Sequence, residues 1–263
     1  MQETIQNNRT LLQCDWWTRF EEFTTDQQKG LPRPKIQKPA PPGALKIELP
    51  APEDFSIGDV SLKRLIQERR SHRYFSSVPL SLEELSFLLW ATQGISQVIT
   101  EGGVSYYKRV VPSGGNRHPF ETYLSIHRVD GLDCGLYRYQ PLQHQLVQLK
   151  VDPTLPEQVS QASLSQSSMQ EGQPFYFVKE SAVTFIWTAI PYRTEWRYGP
   201  AAAKLIAVDA GHLGQNLYLA CGAIGAGMVA VGAFDRIAAD AVLDLDGEEE
   251  FTVYMAPVGK LPK

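Results

Sequence analysis

YYKRVVPSGGNRHPFETYLSIHRV, residues Tyr106–Val129, reads as a strand, a tight loop and a second strand. ETYLSIHRV alternates apolar and polar side chains with period 2, the pattern of a half-buried strand. The loop between holds Pro112, Ser113, Gly114, Gly115, Asn116 and His118, which suit a turn and cannot extend a helix. Further on, CGLYRYQPLQHQLVQL reads as a hairpin turning near Gln143 and His144. SAVTFIWTAI, Ser181–Ile190, has the apolar, β-branched and aromatic content of a buried strand, and FTVYMAPVG supplies a final one. Helical patterns interleave irregularly with these strands. The spacing predicts helices in SIGDVSLKRLIQERR, over Leu82–Gln93, over a Ser/Gln-rich segment at 157–170, and over Ala201–Ala223. Before the second of these, Ser81 and Glu84 form a capping-box pair, and Gly94 stands at its end. Hairpins mixed with irregularly placed helices indicate an α+β fold, not a doubly wound parallel sheet.

Residues 1–55 read as an N-terminal extension and 56–263 as the compact domain. The run LPRPKIQKPAPPGALKIELPAPE, Leu31–Glu53, favours extended polyproline conformation. A short helix is expected around Trp16–Phe23. Trp16, Trp17, Phe20 and Phe23 are too apolar to leave in water, so the extension is expected to dock on the domain or on a partner subunit.

The formal net charge of −4 argues against a chain-wide nucleic-acid footprint. Cys14, Cys134 and Cys221 are distant and odd in number, which fits a reducing compartment, and no Cys/His spacing suggests a metal. The first residues lack the basic-then-apolar pattern of a secretory signal. Leu213–Phe234 carries no charge, but Gln215, Asn216 and several glycines make it a buried helix running into a turn, not a membrane span. A cytoplasmic protein is expected.

Three segments carry candidate chemistry. RRSHRYF, Arg69–Phe75, gathers Arg69, Arg70 and Arg73 with Ser71. Guanidinium forks and a hydroxyl suit a phosphate, while cations at a helix end also simply complement its dipole. The 112–118 loop lets backbone approach a flat ligand, with Asn116 offering a donor and an acceptor. GHLGQNLYLACGAIGAGMVAVGAFD places His212, Gln215 and Asn216 on a buried helix, where His212 reads as a satisfied core histidine. No G-x-G-x-x-G follows a strand and no G-x-S-x-G elbow occurs. Ser113 and His118 lack an evident third member for a nucleophilic triad. Ligand segments without a nucleophile fit an enzyme whose bound cofactor does the chemistry.

In this order, RRSHRYF, LSLEELSFLLWATQGI, VPSGGNRHPFETYL, GLYRYQP, DAGHLGQNLYLA and IGAGMVAVGAFD resemble the FMN-dependent nitroreductase family. More narrowly the chain is similar to its SagB-type dehydrogenase branch, which includes azoline oxidases of peptide natural-product pathways. The resemblance implies an antiparallel or mixed sheet flanked by helices, and a homodimer with an FMN in each of two interface clefts. NAD(P)H is implied as a transient electron donor, and a small molecule or a peptide as substrate; nitroaromatic, quinone, enone and peptide azoline all stay open. Arg69, Arg70, Ser71 and Arg73 match the phosphate and ribityl segment. Pro112, Ser113, Gly114, Gly115, Asn116 and His118 match the loop that reaches the flavin from the other subunit. Gly225, Gly232, Ala233 and Phe234 match the late flavin-lining segment, and Gln166 is placed at the pyrimidine edge. Azoline oxidases carry a Lys-Tyr pair upstream of the DAGH-like helix; here the pair is Arg197 and Tyr198, taken as the catalytic candidates. An arginine does not exchange its proton at working pH, so lysine-type base chemistry is in question. The alternative is a degenerate flavin-fold scaffold or partner subunit in a peptide-modifying complex.

Overall fold

A computed structural model describes residues 1–102 and 104–262. Its helices are α1 (Gln2–Gln13), α2 (Leu62–Glu68), α3 (Leu82–Gln93), α4 (Leu155–Ala162), α5 (Tyr192–Tyr198), α6 (Ala202–Ala223) and α7 (Arg236–Val242). Its strands are β1 (Lys46–Glu48), β2 (Ile95–Glu101), β3 (Val104–Arg109), β4 (Phe120–Ile126), β5 (Gly135–Gln140), β6 (Gln145–Val151), β7 (Ser168–Gln170), β8 (Gln173–Phe175), β9 (Val183–Ala189), β10 (Ala226–Met228) and β11 (Phe251–Lys260). Seven strands form one sheet in the order β1-β6-β5-β4-β9-β11-β10, and each named pair is antiparallel. The fold is α+β, as the hairpins indicate.

The β4 strand is buried along its whole length. Its alternation still sorts side chains, but to two cores instead of core and water. Leu124 and Ile126 join Phe185 and Trp187 of β9 under α3 and α6, packing on Leu85, Leu88, Leu213 and Leu217. Tyr123 faces the other way, with Ile186 and Met255, onto Leu155 and Val159 of α4 and Leu243 after α7. The half-buried expectation fails because helices cover both faces of the sheet.

At the start of α3, Ser81 Oγ accepts from the Glu84 backbone N–H and the Glu84 carboxylate accepts from Ser81 N–H. Replacing Ser81 by Ala is expected to cost about 1 kcal/mol, read by urea unfolding. Other boundaries shift. The segment at 157–170 is a short α4 followed by the β7–β8 hairpin, because Leu164 and Ser165 turn with positive φ. A separate hairpin, β2–β3, was not expected from the sequence.

The N-terminal α-helix lies at Gln2–Gln13, not around Trp16–Phe23, which forms two short 3-10 turns. Beyond them the proline-rich segment crosses the domain. Trp196 donates to Leu31 O at 3.0 Å, Arg109 to Ile36 O at 2.7 Å, and Arg138 to Pro39 O at 2.6 Å. Lys38 N–H donates to Glu121 at 2.8 Å, and the Lys38 ammonium pairs with Glu250 at 2.5 Å. The strap ends by adding β1 to the sheet beside β6. Backbone groups that proline leaves without local partners are thus taken up by buried side chains of the domain.

Candidate functional site

The arginine segment leaves the end of α2 and runs beside β10 and β11. His72 N–H donates to Met228 O and Ser76 N–H to Lys260 O, both at 2.9 Å. The approach is close enough to need glycine: a Cβ on Gly227 would stand 2.8 Å from the His72 Cβ. Arg69 lies over the Tyr218 ring at 5.0 Å, and Ser71 Oγ meets the Tyr218 hydroxyl at 2.8 Å. That hydroxyl also accepts from Ala230 N–H. Arg69, Arg70, Tyr218, Gly225 and Met228 line a cavity of about 220 Å³. Among the described residues, no carboxylate lies within ion-pair distance of Arg69, Arg70 or Arg73. Arg70 donates only to backbone carbonyls of Gln67 and Arg69.

The late segment joins this side. Gln166 Nε2 donates to Ala233 O at 2.6 Å, and Ser168 Oγ to Arg73 O at 2.8 Å. Gly225 and Gly232 face open space where a Cβ would stand. Phe234 packs into the core under α4 and α7.

The 112–118 loop forms a second cluster, further toward the start of α6. Its anchor is Asp209, which accepts from Ser113 Oγ at 2.5 Å and from Gly114 N–H at 3.2 Å. Burial pushes the Asp209 carboxyl above its ordinary range, and the Ser113 and Gly114 bonds pull against that. Gly115 has φ of +56°, and a Cβ there would meet the Tyr198 hydroxyl at 2.4 Å. Arg197 and Tyr198, at the end of α5, therefore join this cluster. About 14 Å of helix rise separates Asp209 from Tyr218. The predicted residues thus fall into two groups along one helix.

His118 is 5% exposed. Asn116 Nδ2 donates to Tyr107 O, which leaves Asn116 Oδ1 facing the His118 Nε2, 2.8 Å away. That arrangement assigns the neutral imidazole as an Nε2–H donor. Ser113 Oγ is bonded to the His118 backbone N–H at 2.9 Å, not to its ring, so no serine–histidine dyad forms. Burial, then the charges of Arg109, Arg117, Arg33 and Arg193, lower the His118 pKa to about 2. Below about pH 6.5 the unfolded chain protonates this histidine while the folded chain does not. Its contribution is complete above that pH and falls away as pH drops. At pH 5 the loss is about 2 kcal/mol. Urea unfolding at pH 7.5 and pH 5 should show His118→Gln losing about that much less than the parent chain.

The model of the family described as "Nitroreductase family" matches residues 66–260. The chain belongs to the nitroreductase family. A Methanocaldococcus jannaschii relative named as a nitroreductase is 31% identical over 216 residues, 82% of this chain and 96% of that one. The trifolitoxin-processing protein TfxB of Rhizobium leguminosarum is 28% identical over 64% of this chain and 44% of its own length. Among solved structures, an Anabaena variabilis protein named as a nitroreductase superposes with a TM-score of 0.68 at 23% identity, covering 92% of this chain and 43% of that chain. The E. coli microcin synthetase McbBCD complex, with truncated pro-MccB17 bound, gives 0.58 at 17% identity over 81% of this chain and 77% of that one. The nitroreductase fold is shared with both structures.

Within this nitroreductase-family chain, sequence reasoning missed Asp209, Tyr218, Arg33 and Arg117. Asp209 and Tyr218 belong to the DAGH helix singled out above, nine residues apart and therefore on opposite faces of it. Arg33 carried no local signal, since its contact with the loop spans 83 residues.

Proposed function

We propose that the chain is an FMN-dependent oxidoreductase working as a homodimer. The observation that carries this reading is the Arg69–Arg73 segment, where Arg69 and Arg70, neither with a carboxylate partner among the described residues, border a cavity that Glu68 and Gly225 also line. This donor set fits a phosphate: fixed cationic forks, a hydroxyl and backbone, with room at Gly225 and Gly232 for the rest of the molecule. Arg69, Arg70 and Ser71 would hold the phosphate end. Gly225, Gly232 and Ala233, with Gln166 fixed on the Ala233 carbonyl, would border the remainder. When bound, the flavin supplies two-electron exchange between a reduced nicotinamide and an acceptor.

Within one chain the 112–118 loop lies well along α6 from these arginines. A second copy would bring its own loop to them. Support comes from the exposed apolar groups on the shared side: Leu62 and Ile66 of α2, and Ala207, Val208 and Gly211 of α6. The loop's part is positional. Asp209 fixes Ser113 and Gly114, and neutral His118 fixes the Asn116 amide, so backbone and amide donors are preset rather than recruited.

The peptide-processing relatives support a peptide or a small peptide-derived heterocycle as acceptor or donor. The test is the visible spectrum of the purified protein, followed by anaerobic mixing with NADH and NADPH. Flavin absorbance that bleaches on mixing supports the reading. A protein that stays colourless after FMN addition and desalting contradicts it.

A further inference from the structure

Three arginines from three distant parts of the chain converge on Gly115 and Asn116. Arg117 Nε donates to Gly115 O at 3.0 Å. Arg33 Nη2 donates to Asn116 O at 3.3 Å. The Arg197 Cδ and Nε stand 3.0 and 3.1 Å from where a Gly115 Cβ would be. Each also lies near an aromatic ring: Arg33 over Tyr106, Arg117 over Trp196, and Arg197 over Tyr198. Arg117 is buried, and Arg33 and Arg197 are half-buried. Among the described residues, none of the three has a carboxylate within ion-pair distance.

Gathering like charges away from water is unfavourable without a counter-charge. The penalty shows in their acidity. Burial first, and then Arg33 and Arg197, lower the Arg117 pKa to about 10. Burial and the charge of Arg197 lower Arg33. The buried Arg193, by contrast, pairs with Glu121 at 2.5 Å. The strap also holds Arg33 in place on both sides, through the bonds to Leu31 O and Ile36 O.

We propose that Arg33, Arg117 and Arg197 form a binding site for an oxyanion, a carboxylate or phosphate carried by a reactant of this enzyme. That the occupant is a reactant rests on the flavin reading; that the site takes an anion does not. On this account the proline-rich strap is part of the site, because it delivers Arg33 to the loop. Two sources share the chemistry, a carboxylate on the substrate and the extra phosphate of NADPH.

The test compares two pairs whose members differ by one anionic group, 4-nitrobenzoate with nitrobenzene and NADPH with NADH, by titration calorimetry on the parent chain, Arg33→Gln and Arg33→Lys. Thermal melts confirm that each variant folds. A charged hydrogen bond lost at this site is expected to weaken the member that bears the extra anionic group about tenfold or more, leaving the member that lacks it unchanged. Arg33→Lys should retain most of the preference. The pair that responds names the source. If neither pair shows a preference that Arg33→Gln reduces, the proposal is overturned. A flavin-free protein that keeps an Arg33-dependent preference retains this site and removes the flavin reading. A flavin-loaded protein without it does the reverse.

Discussion

Replacing Arg69 and Arg70 together by Gln should weaken FMN binding at least about 100-fold, since each charged hydrogen bond to phosphate contributes roughly 1.5–3 kcal/mol. Stability should change little. Among the described residues neither side chain has an ion-pair partner to lose and Arg70 bonds only nearby carbonyls, while Arg69 gives up its position over Tyr218. The backbone bonds of His72 and Ser76 to Met228 and Lys260 hold the segment in place without either guanidinium. Fluorescence titration of FMN into the desalted variant reads the affinity, and a urea curve reads the stability. An unchanged FMN affinity would assign these arginines to the dipole of α2 alone, the plain alternative that the sequence left open.

The largest stability effect is expected at Glu121. This carboxylate is 3% exposed and accepts from Arg193 at 2.5 Å and from Lys38 N–H at 2.8 Å. Arg138 stands 4.0 Å from its other oxygen, itself buried. Glu121→Ala leaves those guanidiniums buried without their counter-charge and frees the strap at Lys38. The expected cost is about 3–5 kcal/mol, a large share of the roughly 5–15 kcal/mol that holds a domain folded. Glu121→Gln keeps an acceptor and should cost less. Urea unfolding measures both. A loss below about 1 kcal/mol for the alanine variant would mean that Glu250 nearby takes over the compensation.

Elements with strong local chemistry were legible in the sequence. Ser81 and Glu84 cap α3 as their spacing indicates, and the apolar runs of β4, β9 and β11 are the centre of the sheet. The order of ligand-like segments also sufficed for the family. What stayed hidden depends on partners remote in sequence. β4 alternates as a surface strand does, and only the packing of α4 and α7 behind it shows that both faces are covered. QETIQNNRTLLQ, the α1 helix, buries no residue, so it has no apolar stripe to read. Leu62 and Ile66 have helical spacing yet remain exposed, because among the described residues nothing covers their face of α2. The two-cluster division of the site was equally invisible. It follows from α6, which carries Asp209 to one group and Tyr218 to the other.

One comparison bears most directly on the role of the Arg69–Arg73 segment: the affinities of the purified protein for FMN and for riboflavin, which differ only by the phosphate. The account predicts FMN binding at least about 100-fold tighter, with the gap closing in Arg69→Gln. Equal affinity for the two flavins would contradict it, because the guanidiniums would then hold nothing that riboflavin lacks.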